Sequence, residues 1–182
     1  QPDLAHRIGG RIAHAGLTAS AEVQTALGAY LELLARWNQH INLTAYTLAP
    51  PSDEAIDRLI VEPLAAARRV PADARLLIDI GSGGGSPALP LRMALPRIRV
   101  VLVESKVRKC AFLREAVRHL GLAAVEVENR RLDELLVRPD LREAADVVTI
   151  RAVRADARLW THAQAFVRPG GRLFWFTTSA GL

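Results

Sequence analysis

Residues 76–91, LLIDIGSGGGSPALPL, contain the clearest structural pattern of this chain. The first five residues are apolar except for Asp79 and form a run of the length of a buried strand. The glycines that follow let the backbone reverse sharply and let a ligand approach the main chain with no Cβ in the way. Pro87 is suited to the first turn of a helix. The stretch therefore predicts a strand, a ligand-binding loop and a helix in succession.

Short apolar runs alternate with helical patterns from here to the end of the chain, which predicts a parallel sheet built from strand-helix-strand units. The predicted strands are 76–80, 100–104, 125–127, 147–150 and 173–176, and the predicted helices are 87–95, 107–119 and 156–167. Gly170-Gly171 is expected to turn the chain into the last strand. Right-handed crossovers would give an α/β fold with a Rossmann-like, open, mostly parallel twisted sheet and helices on both faces.

Helical periodicity replaces this alternation before residue 72. It predicts one helix over 20–39, with Thr18 or Ser20 as its N-cap, and another over 53–69. We expect an N-terminal helical cap over 1–72 and a Rossmann-like core over 73–182, together forming one compact unit.

Composition limits the classes of protein to which the chain can belong. Half of its 182 residues are hydrophobic, which is enough for a core without disulfides, and no run has the roughly 18 apolar residues of a membrane span. The single cysteine, Cys110, fits a reducing compartment, and the histidines lack metal-ligand spacing. We expect a soluble, cytoplasmic monomer without a metal. The net charge of +5 favours a polyanionic partner, although 22 of the 24 basic residues are arginine, a skew that genomic composition also produces.

Ligands of such sheets bind beyond the carboxyl ends of the strands, so the loops after Ile80, Glu104, Val127 and Ile150 should surround one crevice. Glu104 follows Gly83 by 21 residues, where a carboxylate can accept both hydroxyls of a ribose.

These features fit S-adenosylmethionine and NAD alike. Residues 83–88 satisfy G-x-G-x-x-A, so an NAD-dependent dehydrogenase is an alternative. However, this motif begins two residues beyond the usual place after the strand, and Asp79 can hold a methionine amino group, which hydride-transfer cofactors lack. No histidine or lysine stands out as a hydride-transfer acid. The balance favours S-adenosylmethionine.

Five motifs follow one another along the chain: WN at 37–38, INLTA at 41–45, DIGSGGGSPALPL at 79–91, VRKCAFLR at 107–114 and IRAV at 150–153. Together they resemble the 16S ribosomal RNA guanine-N7 methyltransferases, also called the glucose-inhibited division protein B family, over about residues 20–178. The resemblance implies a class I methyltransferase that uses S-adenosylmethionine and acts on ribosomal RNA or the small ribosomal subunit.

The resemblance also implies roles for single residues. Leu132 and Asp133 would flank the adenine, and Arg151 would face the cofactor and the substrate. With the glycine loop and the ribose carboxylate, the predicted cofactor site comprises Asp79, Gly81, Gly83, Gly85, Ser86, Glu104, Leu132, Asp133 and Arg151. The RNA contacts are expected from cationic side chains near the strand ends, namely Arg58, Arg108, Lys109 and Arg154.

The chain departs from the family pattern on the substrate side. Residues 58–63 read RLIVEP in place of Arg-His-Ile-Leu-Asp-Ser, Ser86 replaces a larger apolar residue, and residues 177–179 lack the lysine that precedes a glycine. The family continues with two more strands after the fifth, so these strands are expected to be missing from the sheet. A methyltransferase with a different acceptor and a non-catalytic RNA- or ribosome-binding relative therefore remain alternatives.

Overall fold

A five-stranded, fully parallel sheet forms the centre of the protein, as described by a computed structural model for residues 4–151 and 157–177. The strand order is β3-β2-β1-β4-β5, which confirms the predicted Rossmann-like class. The strands are β1 (Leu76–Ile80), β2 (Arg99–Val103), β3 (Val125–Glu128), β4 (Ala145–Arg151) and β5 (Val167–Phe176).

Two apolar layers cover the sheet because successive side chains of a strand point to opposite faces. Leu77 of β1 and Val147 of β4 face the layer that also holds the N-terminal helices. Ile78 and Ile80 face the opposite layer. The core helices are α5 (Ala88–Ala94) and α6 (Val107–His119) on the first side, and α7 (Leu132–Leu135) and α8 (Ala157–Gln164) on the second. A short 3-10 turn spans Pro139–Leu141.

The N-terminal helices form the predicted cap. They are α1 (Leu4–His14), α2 (Ala21–Asn38), α3 (Asp53–Ile56) and α4 (Glu62–Ala67), and a π-helical turn over Asp57–Val61 joins the last two. The Ser20 hydroxyl accepts a hydrogen bond from the Val23 amide (3.3 Å) and so caps α2, as expected. Because cap and core share one apolar cluster, the predicted boundary near residue 72 stays a prediction.

The structure differs from the expected elements in two places. Helix α1 is not among the predicted helices, because Gly9-Gly10 lowers its helix propensity. Burial of Ile8 and Ile12 against the other cap helices stabilises it instead. The turn expected at Gly170-Gly171 is wrong, since both glycines lie inside β5 at a shift of register against β4. A Cβ on Gly171 would lie 2.9 Å from the Ala145 carbonyl oxygen, so this close approach needs glycine.

The helices in residues 4–151 and 157–177 are all too short or too polar to cross a membrane.

The start of β1 depends on the buried carboxylate of Asp146. This carboxylate accepts hydrogen bonds from the Arg75 amide (2.7 Å), the Leu76 amide (2.9 Å) and the Arg168 guanidinium. Burial opposes ionisation, but these hydrogen bonds hold the pKa of Asp146 below its ordinary value.

We predict that Asp146→Ala lowers the free energy of unfolding by about 1–3 kcal/mol, because two main-chain amides lose their acceptor. Asp140→Ala is the control, since Asp140 forms a surface ion pair with Arg138 worth at most about 1 kcal/mol. Urea denaturation measures both losses, and equal losses would contradict the assignment.

Candidate functional site

A cleft of about 880 Å³ opens at the carboxyl ends of β1, β2 and β4. This volume is in the range of small-molecule sites, about 300–1,000 Å³. Strand order reverses between β1 and β4, so the cleft lies where the topology of an open α/β sheet places a ligand. Its walls are the glycine loop, the cap segment 42–46, Glu104, Arg151 and residues 175–177.

The glycine loop reverses the chain directly after β1. The Gly81 and Ser82 amides both donate to the Val103 carbonyl oxygen of β2, at 2.9 and 3.0 Å. Gly83 and Gly85 have φ of 48° and 88°, in the left-handed region that favours glycine. The loop therefore presents main chain, and little side chain, to the cleft.

Glu104 holds this loop in place from the neighbouring strand. One carboxylate oxygen accepts from the Gly83 amide at 3.0 Å, and the other accepts from the Lys106 amide at 2.8 Å. Each oxygen has a second lone pair, so the carboxylate can still accept hydrogen bonds from a ligand. The predicted proximity of Glu104 to the loop is thus observed.

Asp79 lies beneath the loop and is almost completely buried. Its Oδ1 accepts a hydrogen bond from the Thr149 hydroxyl at 2.5 Å, whereas Oδ2 has no partner. Burial raises the pKa of Asp79 to about 6, although the hydrogen bond from Thr149, the nearby Ser82 hydroxyl and the charge of Arg151 oppose the shift.

Arg151 reaches the same region from the end of β4. One of its terminal nitrogens donates to Glu62 of the cap at 2.9 Å, and its guanidinium carbon lies 4.6 Å from the centre of the Phe176 ring. Its Nε is buried and has no partner. Among side chains of residues 4–151 and 157–177, Asp79 Oδ2 and Arg151 Nε are the two buried polar atoms without a hydrogen bond. A bound ligand would explain both.

The cap wall was not predicted from the sequence. The Tyr30 hydroxyl donates to the Gly84 carbonyl oxygen at 2.7 Å. The side-chain amide of Asn38 accepts from the Leu43 and Thr44 amides and donates to the Thr44 carbonyl oxygen, which fixes the segment that lines the cleft. The signal in the sequence that could have predicted this wall is Asn38 at the end of a helix, because an asparagine side chain there can bond to the main chain of the loop that follows.

Ser86 joins the glycine loop to the cap. Its hydroxyl donates to the buried Leu59 carbonyl oxygen at 2.9 Å. Pro63, four residues after Leu59, has no N–H for the α-helical hydrogen bond to this carbonyl, and the Ser86 hydroxyl donates to it instead.

The two residues predicted to flank the adenine lie away from the described wall of the cleft. Leu132 and Asp133 lie in α7, where Asp133 pairs with Arg158 at 3.0 Å, and neither is part of the cleft wall formed by the described residues. Their contact with adenine stays a prediction.

Of the predicted RNA-binding residues, Lys109 lines the cleft. Arg58 pairs with Glu62 at 3.3 Å, and Arg108 donates to the His40 carbonyl oxygen at 3.3 Å. Arg154 lies outside the described residues. Residues 4–151 and 157–177 contain no cluster of side chains that could hold a metal ion.

A family model described as rRNA small subunit methyltransferase G (GidB) matches residues 23–179. Two similar proteins are each named ribosomal RNA small subunit methyltransferase G. The one from Leuconostoc mesenteroides is 32% identical over 93% of this chain and 71% of its own length. The one from Sorangium cellulosum is 40% identical over 88% of this chain and 66% of its own length. The chain thus spans about two thirds of the length of these relatives.

Solved structures share the fold. Coclaurine N-methyltransferase bound to N-methylheliamine and SAH has a TM-score of 0.58 at 19% identity, over 94% of this chain and 57% of its own. A Methanococcus maripaludis protein described as a putative S-adenosylmethionine-dependent methyltransferase has a TM-score of 0.54 at 15% identity, over 64% of this chain and 53% of its own.

We predict that Asp79→Asn alters the pH dependence of stability. The pKa of about 6 lies above the ordinary 3.8, so protonation favours the folded state. This contribution is complete below about pH 4 and is lost as the pH rises through about 6. Relative to the variant, the wild type should lose about 3 kcal/mol of unfolding free energy across this window. Urea denaturation from about pH 4 to 8 measures the difference, and parallel curves would contradict the burial of an ionisable group here.

We also predict coupling between Ser86 and Pro63. Ser86→Ala removes the only side-chain donor that the described residues give to the Leu59 carbonyl oxygen and should cost about 1–3 kcal/mol. In a Pro63→Ala background, residue 63 gains an N–H that can replace this donor, so the same change should cost less. A double-mutant cycle in urea tests the coupling, and additive losses would refute it.

Proposed function

Because the chain belongs to the family described as rRNA small subunit methyltransferase G (GidB), we propose that it is an enzyme that transfers a methyl group from S-adenosylmethionine to N7 of a guanine in 16S ribosomal RNA. The observation that best supports this proposal is the pair of unpartnered buried atoms, Asp79 Oδ2 and Arg151 Nε, beside a glycine loop.

The two atoms fit the two ends of a methionine zwitterion. Asp79 Oδ2 is an acceptor and suits the ammonium group, whereas Arg151 Nε–H is a donor and suits the carboxylate. Glu104 would bind the ribose hydroxyls, and the glycine loop would lie against the nucleoside. By contrast, NAD has no ammonium and carboxylate end to occupy these two atoms, which disfavours the dehydrogenase alternative.

Methyl transfer to guanine N7 makes modest demands on the protein. The sulfonium of the cofactor supplies an electrophilic methyl group, and N7 offers a lone pair with no proton to lose. A general base is therefore dispensable, and the residues of the cleft need only orient the reactants and exclude water. Orientation alone can lower such a barrier by as much as about 7–11 kcal/mol.

The acceptor would enter past the N-terminus of α6. Lys109 lines the cleft and Arg108 precedes Lys109 in the first turn of α6, so both could contact phosphates of an RNA strand. The net charge of +5 agrees with a polyanionic substrate. Ribosomal RNA or the small ribosomal subunit as the partner implies a cytoplasmic protein, and we expect it to act as a monomer.

One observation favours a methyltransferase with a different acceptor. Glu62 pairs with Arg58 and so occupies a cation that an RNA strand could otherwise use.

We predict that Glu104→Gln weakens S-adenosylhomocysteine binding about 10- to 100-fold, because the loss of charge-assisted hydrogen bonds lowers an affinity by about this factor. Glu128→Gln is the matched control, because Glu128 ends the adjacent strand but pairs with Arg138. Isothermal titration calorimetry measures the affinities. The wild type should transfer a tritiated methyl group to small ribosomal subunits that lack this methylation. Borohydride reduction and aniline cleavage break RNA at N7-methylguanine, so primer extension after this treatment should locate the methyl group at a guanine.

Failure of the wild type to bind S-adenosylhomocysteine at millimolar concentration would refute the proposal. Labelling of protein or of small molecules, with unlabelled ribosomal RNA, would support the different acceptor. Cofactor binding without transfer to any pool would support the non-catalytic relative.

A further inference from the structure

The carboxylate of Glu62 forms a bridge between the cap and the sheet. One oxygen accepts from Arg151 at 2.9 Å, and the other lies 3.3 Å from the nearest nitrogen of Arg58. Arg151 is 89 residues away along the chain and its side chain is only 14% exposed, whereas the Glu62 side chain is 32% exposed. The bridge therefore lies at the edge of the cleft, with Arg151 on its inner side.

The π turn at Asp57–Val61 directs Glu62 toward the sheet. A π turn takes up one residue more than an α-helical turn, so it rotates the residues that follow by about 100° relative to an unbroken α-helix. Glu62 is the first residue after this turn. Its direction is thus a consequence of the irregular backbone.

Two contacts fix the orientation of Arg151. Glu62 holds one terminal nitrogen, and the Phe176 ring lies against the guanidinium. Because the guanidinium is planar, these two contacts also set the direction of Nε–H, which remains buried and unpartnered.

We propose that Glu62 is a positioning residue that orients Arg151, so that Arg151 Nε–H is ready to bind the carboxylate of the methionine end of the cofactor. This inference rests on the role that the proposed function gives to Arg151. Glu62 itself does not touch the cofactor; it removes the entropy cost of ordering a long side chain at the moment of binding.

A pair of ligands separates this role from general support of the cleft. S-adenosylhomocysteine contains the ammonium and carboxylate groups, whereas 5′-methylthioadenosine keeps the adenine, the ribose and the thioether but lacks both. Glu62→Gln removes the charge and one of the two acceptor oxygens. We expect it to weaken S-adenosylhomocysteine binding about three- to tenfold, the cost of ordering one free side chain, and to leave 5′-methylthioadenosine binding unchanged.

Asp57→Asn is the matched control. Asp57 belongs to the same helical segment and pairs with Arg11 at 2.8 Å, outside the cleft wall. We expect this variant to bind both ligands like the wild type. Thermal unfolding of each variant checks that the cap remains folded.

Arg151→Ala distinguishes failure of this inference from failure of the proposed function. It should weaken only S-adenosylhomocysteine, and adding Glu62→Gln should then have no further effect. If Arg151→Ala is selective but Glu62→Gln is not, the positioning role is refuted and the proposed function stands. If Arg151→Ala weakens neither ligand or both equally, the assigned role of Arg151 is refuted, and the positioning role with it.

Discussion

The buried carboxylate of Asp79 at the end of β1 is the constraint on which the rest of the site depends. Removing a carboxylate from water is costly, and the single hydrogen bond from Thr149 to Oδ1 only partly compensates. The cost persists because the second oxygen is buried beneath the glycine loop without a partner. A buried carboxylate with a raised pKa at the carboxyl end of a strand is typical of a functional residue.

The cap completes this site instead of merely covering the sheet. Three contacts tie it to the core at the level of the cleft: Tyr30 to the Gly84 carbonyl oxygen, Ser86 to the Leu59 carbonyl oxygen, and Glu62 to Arg151. In two of these contacts a side-chain hydroxyl, of Tyr30 or of Ser86, donates to a main-chain carbonyl oxygen on the other side of the interface. Side chains across the interface therefore bind carbonyl oxygens of the two irregular segments, the glycine loop and the π-helical turn.

Charge in the cleft is arranged for binding more than for proton transfer. Glu104 uses both oxygens to hold main-chain amides, and Arg151 is held by Glu62. Groups fixed in this way can orient a zwitterionic ligand with little reorganisation, which is what a reaction limited by placement of its reactants requires.

Local sequence patterns predict most strands and helices of the core and the ligand loop between β1 and α5. Strand β1 and helix α6 have the predicted bounds, because apolar periodicity and glycine placement act over a few neighbouring residues. Long-range packing accounts for the other features: α1 is helical because its apolar residues are buried, β5 runs through Gly170-Gly171, and Glu62 meets Arg151 across 89 residues. Local patterns fix local backbone, but they carry no information on which distant side chains packing will bring together, or on which buried atoms it will leave unpaired.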